Sequence, residues 1–267
     1  MIASDFDAFC QQHGITYYMM GGTALGAMRH GGFIPWDDDY DVFMDRANYD
    51  RLAHIAPELL DKEKYYFQAG GTEEWPLYFS KLRLNGTRLK EGNNEGRQMH
   101  EGIYIDIMCL NSTFENRHLR YIQFSAARLL TAYALAKRGY ETNSKAKLFG
   151  MRLARAIGFA PVRWVLMKIA RGFERDSSKL VGHFFGRAKF PATTFERRYL
   201  GTPRMVAFEQ YQLPVAEKVE AYLTVRFGPN YMDPPSDEVR AMYPSHAEEV
   251  EFGPWGRSAD GQTTGGE

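Results

Sequence analysis

Two cysteines, Cys10 and Cys109, are all that 267 residues contain. Their isolation excludes a disulfide framework and fits a reducing compartment. The seven histidines and two cysteines show no HxxxH or CxxC spacing, which argues against a zinc centre. There is no GxSxG to suggest a serine nucleophile and no GxGxxG for a dinucleotide. A Walker A loop is also missing, because Gly21 to Gly26 is followed by Ala27 rather than lysine. Charge of one sign is not in excess: 33 lysines and arginines balance 33 aspartates and glutamates. With no recognition motif, that balance argues against nucleic acid as a partner. No apolar run reaches the roughly 18 residues of a spanning helix. The opening MIASDFDAFC lacks a basic region followed by an apolar stretch, so no signal peptide is expected. The expectation is a soluble cytoplasmic protein with one substantial core and room for a smaller subdomain.

What the chain does have is an unusual stretch at residues 21–42, GGTALGAMRHGGFIPWDDDYDV, with Asp37, Asp38, Asp39 and Asp41 crowded in front of an apolar run. Around it the pattern predicts a helix opened by Ser4 and Asp7 as a variant capping box, with Phe6, Phe9 and Cys10 on one face and Gly14 at its end. ITYYMM (15–20) reads as a strand, GG as its break, and TALGAMRH (23–30) as a short helix stopped by Gly31 and Gly32. YDVFM (40–44), LYFSKLRL (77–84) and GIYIDIMCL (102–110) read as further strands, and YDRLAHIAPELL (49–60) as an amphipathic helix reaching Pro57 or beyond. Residues 116 to about 185 turn to helical periodicity rich in alanine, arginine and leucine. Aromatic and proline residues return from 196 to 255, and the tail SADGQTTGGE is too polar to pack.

Alternation along a strand puts Asp39, Asp41 and Phe43 on one face and Tyr40, Val42 and Met44 on the other. In GIYIDIMCL, Ile103, Ile105 and Ile107 share a face and Asp106 stands opposite. If the two strands are neighbours, Asp106 meets Asp39 and Asp41, and such carboxylates repel unless a cation or protons intervene. Hard oxygen ligands suit Mg²⁺ or Mn²⁺. The competing reading of an acidic run is a solvated turn or a set of helix caps. The Gly-Gly turn before a helix lets backbone N–H groups approach an anion, although a tight turn alone explains a lone GG equally well. A glycine turn, a short helix and a DxD strand together are the layout of nucleotidyltransferase-fold enzymes.

GGTALGAMRHGGFIPWDDDYDVFMDRANYDRL closely resembles the signature of the LicD family, which includes phosphocholine transferases and fukutin-related ribitol-phosphate transferases. FSKLR…T (79–87), IDI (105–107) and FEQYQLPV…YLTVRFGPNYMDPP (208–235) extend the resemblance, most weakly between 116 and 195. It implies an α/β (α+β) fold: a nucleotidyltransferase-like mixed sheet flanked by helices, with a helical insertion. The domain organisation expected is a catalytic core over 1–115, a basic helical subdomain over 116–195, the remainder of the catalytic domain over 196–255, and a disordered tail over 256–267. One departure is plain: where the family continues its third acidic strand into a proline and a second aspartate, this chain has Asn111.

The resemblance implies transfer of a phosphoalcohol, typically phosphocholine, from a CDP-activated donor to a sugar hydroxyl of a surface glycan or its lipid-linked precursor. Asp39, Asp41 and Asp106 are then the expected metal ligands and catalytic residues, Asp106 the candidate general base and Asp37 an auxiliary ligand. Gly21, Gly22 and Thr23 would cradle phosphate oxygens. Lys81 and Arg83, two apart on a strand, would neutralise donor charge or else line a solvated edge. Arg29 and His30 end the short helix, where cations are favoured whatever the function; substrate contact is the alternative. Trp36 is either core or a stacking surface for base or choline. Ribitol phosphate, another nucleotide-activated group, or a non-catalytic choline- or glycan-binding module remain alternatives.

Between Thr142 and Phe173 there is no acidic residue, while Lys145, Lys147, Arg152, Arg155, Arg163, Lys168 and Arg171 punctuate apolar positions. This reads as two basic amphipathic helices broken at Pro161. They would lie peripherally on an anionic membrane surface or meet a polyanion, or else cap the core with a solvated basic face.

Overall fold

The structure is a computed structural model and describes residues 1–91, 99–140, 142, 144–172, 178–240 and 247–256. The polar tail expected to be disordered lies outside the described residues, as does Phe173, apart from Gly256 at the tail's first position. The fold is α/β, with a five-stranded mixed sheet.

Helix α1 (Ile2–Gln12) forms because Phe6, Phe9 and Cys10 fall at i, i+3 and i+4 and all three are buried. It begins earlier than the capping-box reading, which is corrected: Ser4 lies inside the helix, and the N-cap Met1 makes no side-chain cap bond. Strand β1 is only Tyr18–Met19, shorter than ITYYMM, since only these two residues pair with the next strand. Helix α2 (Gly21–His30) takes in both glycines, so the diglycine is the first turn of the helix rather than a turn ahead of it. Gly31 does stop the helix, in the left-handed region at φ +69°, its N–H donating to the Ala27 carbonyl.

Strand β2 (Asp41–Met44) follows, then α3 (Arg46–Leu59), whose N-cap Asp45 accepts from Asn48 N–H and which runs past Pro57. Strands β3 (Tyr65–Gln68), β4 (Ser80–Leu84), β5 (Arg88–Glu91), β6 (Tyr104–Cys109) and β7 (Asn111–Thr113) come next. The main sheet has the order β1-β2-β6-β4-β3, with β2 and β6 parallel and the other pairs antiparallel. Strand β2 is therefore interior to the sheet. Val42, Phe43 and Met44 are completely buried, and each contributes about 1.5–3 kcal/mol through apolar burial.

Helices α4 (Arg117–Lys137), α5 (Lys145–Ile157) and α6 (Ala160–Ala170) supply the expected helical middle. Their junction corrects the sequence reading. The break falls at Gly158 and Phe159, and Pro161 sits in the first turn of α6, where its missing N–H costs nothing. A small cluster of Ala126, Ala127, Leu130, Ala170, Phe184 and Phe185 packs this region. Strands β8 (Leu180–Gly182) and β9 (Thr194–Glu196) add to β7 in a second sheet, unannounced by any alternation in the sequence. Strands β10 (Arg204–Phe208) and β11 (Tyr211–Val215) form a hairpin, followed by α7 (Val219–Phe227), α8 (Asp237–Arg240) and β12 (Ala247–Glu251), which pairs with β5. The hairpin and α7 return to the first core, where Phe208, Leu213, Val219, Tyr222 and Leu223 share one cluster with Phe43.

Candidate active site

The parallel pairing of β2 and β6 places Asp41 and Asp106 as direct register partners. The backbone of Asp41 is pinned on both sides, its N–H donating to Thr23 Oγ1 (2.8 Å) and its carbonyl accepting from Met20 N–H (2.9 Å). Asp106 N–H donates to the Tyr40 carbonyl at 2.9 Å. Asp41 Oδ1 is buried and has no hydrogen-bond partner. Burial, then the neighbouring charges of Asp39 and Asp106, push its carboxyl well above the usual carboxylate range; Lys81 opposes this, and Asp37 adds to it. Asp37, Asp39 and Asp106 thus all bear on Asp41.

Helix α2 aims its first turn at the same spot. Gly21, at φ +55°, places its Cα hydrogen where a Cβ would meet Asp41 Oδ2 at 4.0 Å, and a methyl group at Gly22 would overlap Asp37 Oδ2. A side chain at Gly22 would push aside the Asp37 carboxylate, which crosses close to the helix N-terminus, whose partial positive charge favours it. The Gly21 N–H donates to Tyr222 Oη (3.0 Å), so a side chain 201 positions away in sequence fixes the turn. Tyr222 is buried, and burial pushes its phenol up to about 12. It also packs edge-on against Phe43, two residues beyond Asp41 on the same strand face. No local signal identified Tyr222; its place depends on α7 docking against α2. Thr23 is buried with its oxygen committed to Asp41, which makes it a support for the acid strand.

Lys81 and Arg83 sit on an interior strand, and the solvated-edge alternative for them is overturned. Lys81 is 2% exposed, and its ammonium stands 2.6 Å from Asp106 Oδ1. Around it lie Tyr104 (3.1 Å to the ring centroid), Trp75 (4.9 Å) and Phe79 (5.5 Å), an aromatic cage filled by the protein's own cation. Arg83 is directed elsewhere: Nε donates to Gln68 Oε1 and Nη1 to the Gly102 carbonyl, beside the Tyr104 ring. It belongs to the architecture that holds β4, β3 and the approach to β6.

Arg29, His30 and Trp36 gather at the other end of α2, about 10 Å along its axis from Gly22. Arg29 donates to the carbonyls of Tyr231 (3.2 Å) and Asp233 (3.4 Å) and to His30 Nε2. Trp36 packs partly against the main core, with the guanidinium of Arg240 4.9 Å and that of Arg29 6.0 Å from its ring centroid. His30 is exposed at the edge of that ring. Asp38 is turned away from the other acids, accepting from Ala247 N–H at 2.8 Å.

Asn111, the departure from the family pattern, is buried and structural: its Oδ1 accepts from Arg46 Nη2 (2.9 Å) and its Nδ2 donates to the Cys109 carbonyl (3.3 Å). It lines a cavity of about 50 Å³ with Arg46, Tyr49 and Arg171, at the end of β2 and β6 remote from Asp41.

Among the described residues, no three histidine, cysteine or acidic side chains are gathered into a ready-made metal cage. The donor set nonetheless fits Mg²⁺ or Mn²⁺ in their usual manner, one or two carboxylates plus substrate phosphates. The orphaned Asp41 Oδ1, buried among like charges, is the observation that favours a cation there.

Comparison with known proteins adds a resemblance. Residues 14–88 match the family described as LicD/FKTN/FKRP, nucleotidyltransferase domain, a segment running from just after α1 to the start of β5. A lipopolysaccharide cholinephosphotransferase LicD of Haemophilus influenzae is 52% identical over 50 residues, 19% of either chain. An uncharacterized protein of Rickettsia prowazekii is 35% identical over 57 residues, 21% of either chain. These alignments thus span about a fifth of each relative's length. The segment that carries Gly21, Asp39, Asp41 and Lys81 is thus similar to the LicD family's nucleotidyltransferase domain.

Proposed function

We propose that the protein is a transferase that moves phosphocholine, or a closely similar phosphoalcohol, from a CDP-activated donor to a sugar hydroxyl of a glycan or its lipid-linked precursor. The observation that carries the reading is the register pairing of Asp41 with Asp106 beside the α2 N-terminus, with Asp41 Oδ1 buried and unpartnered. The resemblance to the Haemophilus influenzae cholinephosphotransferase supports choline as the alcohol.

In this reading Asp41 and Asp106, with Asp39 and an auxiliary Asp37, hold a divalent cation. When bound, that cation neutralises charge on the phosphoryl oxygens and on the leaving CMP. The α2 N-terminus, with Gly21 and Gly22, lies where the donor diphosphate has to approach. Asp106, its charge partnered by Lys81, accepts the proton of the attacking hydroxyl. Lys81 acts from behind Asp106 and does not itself reach the donor. Arg29, His30 and Trp36 form a second contact region for the nucleotide or acceptor. The cage of Trp75, Phe79 and Tyr104 is filled by Lys81 and is not the choline pocket.

Incubation with CDP-choline or CDP-ribitol, Mg²⁺ or Mn²⁺ and candidate glycans, scored as CMP release, tests the reading. Release with CDP-choline that stops in excess chelator is the expected result. Turnover that survives the chelator contradicts the metal assignment, and release from CDP-ribitol alone moves the substrate to a polyol. A non-catalytic binding module would bind without release.

A further inference from the structure

We infer that the outer face of the α5–α6 arm is a docking surface for an anionic lipid bilayer. The inference does not rest on the transferase reading. Seven lysines and arginines and no acid fall between Thr142 and Phe173, in a chain of zero formal net charge, so the rest of the molecule is correspondingly acidic. Both helices spend one face on α4: Ala154 and Ala170 are buried, Arg155 donates to the Ala136 carbonyl, and Arg163 donates to Tyr133 Oη. The opposite faces are uncovered. Phe149 is 70% exposed and Trp164 64%, with Leu153, Phe159 and Val165 also open to solvent. On α5, Lys145, Phe149 and Arg152 follow one another at i, i+4 and i+7, one stripe of the helix; on α6, Trp164 and Lys168 are i, i+4 neighbours. Apolar rings therefore stand among cations, and Lys145, Lys147, Arg152 and Lys168 enter no ion pair among the described residues.

That chemistry selects one occupant. A soluble polyanion would use the charges and leave Phe149 and Trp164 in water. A second copy of the chain, packed face to face, would set like charges against each other. An anionic bilayer takes both at once: rings enter the headgroup–acyl boundary while lysine and arginine stems carry their charges to the lipid phosphates. Among the described residues no helix is long and apolar enough to cross a membrane, so the arm lies on the surface.

Co-sedimentation of the full chain with vesicles of phosphatidylglycerol and phosphatidylcholine, against phosphatidylcholine alone, tests the proposal. Binding to the anionic vesicles only is expected, lost at about 1 M salt where the Debye length is about 3 Å. Each Lys→Gln change at Lys145, Lys147 or Lys168 should weaken partitioning about fivefold, the equivalent of about 1 kcal/mol per charge. Trp164 fluorescence should shift to the blue on binding, a change lost in Trp164→Phe. The double variant Phe149→Glu, Trp164→Glu should melt as the parent does, since both sites are exposed, yet fail to sediment. Absence of sedimentation at low salt overturns the proposal. So does binding to heparin without vesicle binding, or self-association that buries Trp164.

Discussion

The carboxylates of Asp41 and Asp106 belong to register partners on adjacent parallel strands, and the ammonium of Lys81 sits 2.6 Å from Asp106 Oδ1. Lys81 opposes the acidic neighbours that raise the Asp41 carboxyl, and the consequences are measurable.

Asp41→Asn should reduce CMP release more than about a hundredfold, beyond the loss seen when only an outer partner of a ligand is removed. It should also leave the melting temperature unchanged or higher. The Asp41 carboxyl is raised by burial and by its acidic neighbours, so its ionised form opposes folding at neutral pH, and the amide removes that penalty. Retained activity, or a large drop in stability, would refute the placement of this residue.

Lys81→Met should be costly to the fold, because it leaves Asp106 largely buried without its partner; removing one member of such a pair costs about 3–5 kcal/mol. The double variant Lys81→Met, Asp106→Asn should recover much of that loss, since methionine suits the aromatic cage. Urea denaturation of the three proteins decides it, and a double variant no better than the single would argue against the pair.

Tyr222→Phe removes the acceptor of the buried Gly21 N–H and should destabilise by about 1–3 kcal/mol. Its further effect should fall on donor binding, read as a raised KM, because the first turn of α2 loses its tie. Gly22→Ala should leave the fold largely intact, since the obstructing atom is the tip of the Asp37 side chain, but should displace that carboxylate and lower activity.

Acid should unfold the protein partly through His183. Both of its ring nitrogens are shut away from solvent, and burial, opposed in part by the Cys109 backbone, lowers its imidazolium to about 4. The unfolded chain takes up this proton near the ordinary value of about 6.5, before the folded chain does. Stability is therefore lost as pH falls from about 6.5 to about 4, by about 3 kcal/mol in total. His183→Gln should flatten that part of the pH profile of thermal melting, and an unchanged profile would rule this histidine out.

The chain's local chemistry determined a good deal by itself. Alternation from Tyr40 to Met44 and from Ile103 to Ile107 disclosed two strands with acids on one face, because a buried strand admits polar side chains only where something uses them. Helical periodicity disclosed α1 and the basic arm, and Gly31 disclosed the end of α2, since its backbone conformation suits glycine alone. What local pattern did not carry was anything settled by distant partners. The first turn of α2 at the diglycine is tied by Tyr222; Lys81 went inward because Asp106 and three aromatic rings receive its charge; Asn111 became a buried brace because Arg46 meets it. Strands β7 to β9, three residues each, were invisible because so few residues make no period. Residue type and spacing settled which groups can do chemistry, through short-range sterics and hydrophobic period. Only tertiary packing decided which of them face one another, because a charge's partner is chosen by position in space.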